Sequence, residues 1–277
     1  MPELPEVELI SRSLNTLVSG RKIISAKLLR PRLAPDIAPS LFAKKLRNSS
    51  VNFVHRRGKH VLFDLSGGKT LIVHLRMSGR FSILAAEAED PKFTHAVFNL
   101  DDGQRLVFDD QRHFGLMKVV ETGQLYEATE LKKLGPEPLS GDFTSQYLYR
   151  ATRASKRNLK EFLIDQTKVC GIGNIYACEA LFAAGMDPRK VANKVTKPGA
   201  HRLHQSIQAV LTEAISYGSG RPVDPQNLEG NYFSGSAGAG WYVYDREKLR
   251  CRNCHELIVR LKQGGRSTYF CRKCQRR

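Results

Sequence analysis

A proline at position 2 and four cysteines near the far end are the residues whose types and spacing best suit chemistry. If Met1 is removed, Pro2 exposes a secondary amine. An α-amino group titrates at ~7.7–8.0, against ~10.4 for a lysine ammonium, so a useful fraction is neutral and nucleophilic near pH 7. Attack of such an amine on a sugar C1′ gives an iminium, a Schiff base that acts as an electron sink. Glu3 beside it could move protons. The simpler reading of Met-Pro-Glu is an ordinary chain start with a proline near a helix N-terminus. A retained Met1 would turn the Pro2 nitrogen into an amide, which cannot form an iminium.

Cys251, Cys254, Cys271 and Cys274 follow the pattern C-x2-C-x16-C-x2-C. Each Cys-x-x-Cys lets two thiolates converge on one ion, and two such knuckles complete a tetrahedral Zn²⁺ site. The segment between them fits a β-hairpin: Leu257–Leu261, a Gly264-Gly265 turn, then Ser267–Phe270. That is a zinc ribbon. Four thiolates leave no open coordination position, so the expected cofactor is one structural zinc ion. The start of the chain carries three acids and no basic patch, which is unlike a secretory signal. In a reducing compartment the four thiols read as ligands before disulfides. Cys170 and Cys178 read as buried small apolar residues.

Weaker signals lie between. Gly171-Ile172-Gly173-Asn174 opens a predicted helix, where backbone N–H groups and the helix dipole could hold a phosphate. It lacks the spacing of a dinucleotide fingerprint or a P-loop, and Asn174 reads equally as an N-cap. Met77 and Phe114 are core residues by default. Each also lies beside a glycine and a basic side chain, as a side chain that wedges DNA would. The eight histidines form no metal-type pair.

Several elements must position these residues. Val7, Ile10, Leu14 and Leu17 recur at helical spacing and predict an amphipathic helix over residues 3 to 19, with a second short helix at Ser40–Leu46. From 51 to 120 the period shifts toward two: Val61–Phe63, Leu71–Val73, Ala96–Phe98 and Leu106–Phe108 are short runs between turn signals, an antiparallel sandwich or barrel. Leu134-Gly135-Pro136-Glu137-Pro138-Leu139 reads as a hinge. Beyond it the pattern is helical at Phe143–Arg150, Lys156–Asp165, Asn174–Ala184 and His201–Tyr217. Ser234–Gly240 reads as a mobile glycine-rich loop.

Charge names the class of partner. The chain of 277 residues has 44 Lys+Arg against 27 Asp+Glu, a formal +17. From Trp241 to Arg277 there are eleven basic residues and three acidic ones, a local excess of +8 in a short module. Arg150, Arg153, Lys156, Arg157 and Lys160 form a second cluster, which reads equally as a solvated helix face. No apolar run approaches the ~18–20 residues of a bilayer span. The charges decorate a hairpin rather than an amphipathic helix, so nucleic acid is a better partner than a membrane surface.

Taken in order, Met1–Glu8, Arg57-Gly58-Lys59, Leu75–Gly79, Arg112-x-Phe114-Gly115, Leu134–Pro138, Gly173–Ala177 and the ribbon resemble the formamidopyrimidine-DNA glycosylase family, over nearly the whole chain. The wider family includes endonuclease VIII-type enzymes that prefer oxidised pyrimidines. Leu4-Pro5 and Leu75–Gly79 look more like the formamidopyrimidine branch. The resemblance implies an α+β multidomain fold. It comprises an antiparallel β-sandwich with flanking helices at 1–133, a hinge at 134–140, a helix–two-turn–helix DNA-binding domain at 141–235 and the zinc ribbon at 241–277.

The resemblance also implies roles. Pro2 would be the nucleophile and Glu3 the general acid/base. Lys59 would bind phosphate near the lesion and assist β-elimination, and Arg266 would hold the lesion-flanking phosphate and support δ-elimination. Asn174 would bind phosphate. Met77, Arg112 and Phe114 would fill the gap left by a flipped nucleotide, with Arg112 reaching the orphaned base. Lys160 and His95 would contact DNA, and Glu6 would lie at the pocket of the flipped nucleotide. The implied partner is duplex DNA with oxidised bases or abasic sites, met by a monomer in a bacterial cytoplasm, close to the nucleoid. Three departures stand out: Gln111 and His113 replace a common Pro and Arg, Phe93 replaces a phosphate-contacting His, and Gly230–Phe233 runs into a longer loop than usual.

Overall fold

A computed structural model describes residues 1–220, 224–226, 228 and 240–276. The chain divides into two compact units, Met1–Lys132 with Gly218–Gly235, and Lys133–Tyr217 with Ser236–Arg277. The loop expected at Ser234–Gly240 lies, apart from Gly240, outside the described residues, as does Gly230–Phe233. Among the described residues no helix is long and apolar enough to cross a membrane.

The first unit opens with α1 (Leu4–Val18), whose buried residues include Leu4, Val7, Ile10, Leu14 and Val18. Pro5 sits in its first turn, where a missing N–H costs nothing. Strands β1 (Lys22–Leu28), β2 (Ser49–Arg57), β3 (His60–Leu65), β4 (Lys69–His74), β5 (Gly79–Leu84), β6 (Thr94–Leu100), β7 (Arg105–Asp110) and β8 (Leu116–Glu121) form one antiparallel sheet in the order β5-β7-β6-β1-β2-β3-β4-β8. The seam between β1 and β2 is short, pairing Lys22 with Ser50 and Ile23 with Ser49. There the sheet turns back on itself. Phe63 of β3 meets Phe81 of β5 at 5.6 Å, and Phe81 meets Phe108 of β7 at 5.1 Å, although β3 and β5 are far apart in the sheet order. The result is the expected antiparallel sandwich, with an aromatic core edge-on between its layers.

Two helices flank it. Helix α1 lies on β2, tied by the Val54 N–H to Asn15 Oδ1 (2.8 Å) and by Arg56 to Glu8 (2.7 Å). Helix α2 (Pro39–Leu46) packs against β1 and sets Phe42 6.3 Å from Phe98.

The second unit is helical, with a terminal hairpin. Thr144 caps α3 (Ser145–Arg153) by accepting the Tyr147 N–H, and Asn158 caps α4 (Leu159–Leu163) by accepting the Glu161 N–H. These caps start both helices later than the apolar spacing predicts. Helix α4 is also shorter at its far end, where Asp165 folds the chain into a turn by accepting from Thr167. Helix α5 (Asn174–Ala183) begins after Gly173, and α6 spans Lys197–Ser219. Strands β9 (Ile258–Gln263) and β10 (Arg266–Cys271) pair antiparallel around Gly264 and Gly265, both at positive φ (52° and 75°). That backbone is the two-residue turn that a Gly-Gly pair allows. The ribbon core comprises Val243, Cys251, Ile258, Tyr269 and Cys271, packed with Cys178 and Phe182 of α5. Both Cys170 and Cys178 are buried, as expected.

Candidate functional site

The N-terminus is held by the cap of α1. Pro2 and Glu3 are buried, and Glu6 accepts the Glu3 N–H at 2.9 Å, closing a capping box. Glu6 was expected at the pocket of a flipped nucleotide. Its buried carboxylate instead fixes the backbone of Glu3. Met1 is exposed and lines a cavity of about 380 Å³ with Arg32, Arg76, Met77, His113 and Phe114. The chain start and both expected wedge residues therefore open on one space.

Lys59 lies in the turn between β2 and β3, after Gly58 at φ 57°. It is buried, and its charge is felt by His74, which pairs with His60 across β3 and β4 in an edge-on contact of 4.6 Å. Burial pushes the His60 imidazole down to about 4. Burial, then the neighbouring His60, Arg76 and Lys59, push His74 down to about 2. Both rings are thus neutral at physiological pH, and the positive charge of this face belongs to Lys59 and Arg76. His74 donates no charge but takes the Arg76 N–H on Nδ1 (2.9 Å).

The residues expected to wedge DNA stand on two loops. Met77 and Phe114 are 44% and 45% exposed, so the default core reading fails for both. Each follows a non-glycine residue in the left-handed region, Arg76 at φ 56° and His113 at φ 57°. The Arg112 guanidinium lies 5.3 Å over the Phe114 ring. His95, expected to contact DNA, is buried. One of its ring nitrogens lies 2.9 Å from His113 Nδ1, and the rings stack at 4.8 Å. It lies against His113 beneath the loop. Burial, with smaller opposing and reinforcing effects from Asp110, His113 and Arg30, lowers its pKa.

In the second unit, Arg266 is exposed at the ribbon turn and lines a cavity of about 520 Å³ with Arg157, Glu161, Ile164, Asp165 and Gly264. Asn174 donates to the Ser267 carbonyl at 2.9 Å, and Lys160 reaches the same oxygen at 3.5 Å. Asn174, Lys160 and the Arg266 turn are thus brought together. Lys160 was expected to contact DNA, but its side chain is fully buried. It braces the backbone beside Arg266 from inside the protein.

The four cysteine sulfurs lie within 4.8 Å of one another, with Cys254–Cys271 at 3.4 Å and Cys251–Cys274 at 3.9 Å. A tetrahedral ion with ~2.3 Å metal–sulfur bonds needs sulfurs about 3.8 Å apart, so the cluster fits a metal. Burial and the neighbouring thiols push Cys274 up, and burial does the same for Cys271, while the backbone at Glu256 pulls Cys254 down. A cation is what lets such a group ionise together.

Residues 1–117 match the formamidopyrimidine-DNA glycosylase N-terminal domain, and residues 134–223 match the formamidopyrimidine-DNA glycosylase H2TH domain. The chain belongs to the formamidopyrimidine-DNA glycosylase family. A relative in Bradyrhizobium (strain BTAi1), itself a formamidopyrimidine-DNA glycosylase, is 41% identical over all of both chains. Two solved structures of the wild-type Lactococcus lactis enzyme are similar over all of both chains. One is complexed with DNA containing N7-benzyl-Fapy-dG (TM-score 0.91, 33% identity), the other with DNA containing an oxidised pyrimidine (TM-score 0.90, 32% identity).

For a member of this DNA-repair glycosylase family, two buried carboxylates stand out that the sequence reading passed over. Asp110 is fully buried and accepts from both wedge loops: Ser78 Oγ (2.5 Å) and the Arg112 N–H (3.2 Å) on Oδ1, the Phe114 and Gly115 N–H groups (2.7 Å each) on Oδ2. Glu179 of α5 accepts the backbone N–H groups of Tyr242 (2.9 Å), Val243 (3.0 Å) and Tyr244 (2.8 Å). It thereby anchors the segment that enters the ribbon. Neither has a spacing that marks it in the sequence. His74, two residues before Arg76, was passed over for the same reason.

Proposed function

We propose that the protein is a bifunctional DNA glycosylase and abasic-site lyase of base excision repair, acting on oxidised purines in duplex DNA. The observation that carries this reading is the common cavity of Met1, Met77 and Phe114. A nucleophile freed at Pro2 would open on the space into which a wedged, extruded nucleotide must be drawn. With Met1 removed, the Pro2 nitrogen attacks C1′, forming a C–N bond as the bond to the damaged base breaks. Glu3 supplies a proton as the sugar ring opens, and the resulting iminium makes the C2′ proton acidic. Loss of that proton expels the 3′ phosphate, a second elimination expels the 5′ phosphate, and water hydrolyses the iminium to release Pro2. Lys59 and Arg266 hold phosphates and assist the two eliminations, and Asn174 binds phosphate.

The four cysteines would hold one structural zinc ion. When bound, it supplies the folding energy of the ribbon and no chemistry. Met77, Arg112 and Phe114 would occupy the space vacated in the duplex, offsetting part of the few kcal/mol lost on unstacking. The basic faces would make affinity fall steeply with salt through counterion release.

The lesion range is set by direct assay of Met1-processed protein on duplexes containing 8-oxoguanine, a formamidopyrimidine, an oxidised pyrimidine or an abasic site. The pyrimidine belongs in the set because a similar enzyme has been solved with such DNA. The expected result is base release from the purine lesions, and strands ending in phosphate on both sides of the gap. Absence of cleavage on all four duplexes would remove the enzymatic reading and leave a non-catalytic DNA-binding homologue.

A further inference from the structure

We infer that Asp110 is a positioning residue that couples the two wedge loops, so that Met77 and the Arg112–Phe114 segment enter DNA as one unit. This rests on the glycosylase reading above. The loops are 32 residues apart in sequence at Ser78 and Asp110, and one carboxylate ties them together. Its Oδ1 serves the Met77 loop through Ser78 and shares the Arg112 N–H, which also reaches Ser78 Oγ at 3.0 Å. Its Oδ2 takes the two N–H groups at Phe114 and Gly115. Four donors on one group require an acceptor-only side chain, which a carboxylate is and an amide is not.

Two further features make the pair of loops a unit. The Phe108 ring lies against both glycines that end the loops. A Cβ on Gly79 would meet its Cζ at 2.6 Å, and one on Gly115 would meet it at 2.9 Å and Asp110 Oδ2 at 3.2 Å. Neither loop can settle without the other accepting the same ring. Both wedges are also launched from left-handed residues, Arg76 and His113. That backbone is uncommon at a non-glycine residue and persists only where surrounding bonds over-determine it. At His113 those bonds are its N–H to the Asp110 carbonyl (3.2 Å) and its ring to His95. The carboxylate takes the N–H groups on either side of His113, at Arg112 and Phe114.

The test compares two substrates and a mutant cycle. An 8-oxoguanine duplex carrying 2-aminopurine beside the lesion reports both extrusion, by fluorescence, and excision, by single-turnover cleavage. A single-stranded abasic oligonucleotide reports elimination where nothing has to be wedged. Asp110→Asn puts an N–H₂ against N–H donors, and the ratio of duplex excision to single-strand elimination should fall about tenfold, with the extrusion phase slowed in step. Ser78→Ala, which removes one hydroxyl and leaves the carboxylate, should lower the same ratio about threefold and guards against misfolding of the first variant. In the native background Met77→Ala and Phe114→Ala should be non-additive in extrusion rate, and in Asp110→Asn they should become additive.

Coupling that survives in Asp110→Asn, or an equal loss on both substrates in both variants, overturns the proposal. Native protein inert on both substrates would sink the glycosylase reading, and this proposal with it.

Discussion

Asp110 and Glu179 use the same device in the two units, a buried carboxylate accepting a row of N–H groups, yet their pKa values move in opposite directions. For Asp110, burial pushes the carboxyl up, but hydrogen bonds from Ser78, Gly115, Arg112 and Phe114 outweigh it and hold the group below the usual range. For Glu179, burial dominates and the carboxyl is raised, despite the N–H groups of Tyr244, Val243 and Tyr242 and the charge of Arg252. Asp110 has one more donor, and that donor is a short hydroxyl contact. Glu179 sits on α5 between Cys178 and the helix turn carrying Phe182, both part of the apolar ribbon core. Glu179 is desolvated more deeply than Asp110 and has one donor fewer, and the two differences together put the shifts on opposite sides. Asp110 is a strong organiser of backbone, and Glu179 a weak one that needs help.

In the ribbon that help would be the metal ion that the four cysteines are proposed to hold. A two-stranded hairpin of six-residue strands cannot sustain itself on its own core. The largest effect expected anywhere in the molecule is therefore metal loss. Cys271→Ser or chelation should release zinc, erase hydrogen-exchange protection in β9 and β10, and lower DNA affinity and excision together by about 100-fold or more. The first unit should keep its protection. Excision that survives in metal-free protein would break the contrast at its root.

Next in size are the two carboxylates themselves. Asp110→Asn can keep an oxygen for the Phe114 and Gly115 N–H groups only by turning its N–H₂ against the Arg112 N–H, and should destabilise the first unit by about 1–3 kcal/mol. Glu179→Gln keeps an oxygen for Val243 and Tyr244, loses the bond to Tyr242 and removes a buried charge, so it should shift stability by about 1 kcal/mol or less. Chemical denaturation of the two variants checks the order, and equal losses would mean that the extra donor at Asp110 carries no weight.

The smallest effect is a pH slope. Glu179, with a raised folded pKa, contributes stability that is fully present below its unfolded value near ~4.3 and is lost as pH rises through the raised value. Asp110, with a depressed pKa, contributes stability present above ~3.9 and lost as pH falls through the depressed value. Thermal melts of native protein and Glu179→Gln between pH 5 and 8 should diverge, the variant gaining on the native chain as pH rises. Parallel curves would show that Glu179 is not buried as a charge.

Much of this architecture was legible from the residues. The cysteine spacing and the Gly264-Gly265 turn lead directly to the ribbon, because both are local constraints. The apolar period of α1 and the alternating runs of the sandwich were legible for the same reason. The exposure of the loops that carry Met77 and Phe114 was not. By periodicity Met77 and Phe114 are core residues, and their exposure depends on Asp110, Phe108 and two glycines converging from separate strands. His95, Lys160 and Glu6 are the reverse case. Each is a polar residue inside a motif, and each is buried against a neighbour that sequence alone does not place beside it: His113, Ser267 and the Glu3 amide. Side chains that brace a site and side chains that touch a substrate share composition and differ only in tertiary partners.

In the proposed mechanism, chemistry begins at the Pro2 nitrogen. Borohydride reduction during reaction with an 8-oxoguanine duplex traps any iminium as a stable protein–DNA adduct, and mass spectrometry of the digested adduct locates the modified residue. One adduct, at Pro2, is expected from protein lacking Met1, and none from protein that retains it. An adduct at Lys59 or another lysine, or no adduct from processed protein that still cleaves the DNA, would contradict the mechanism.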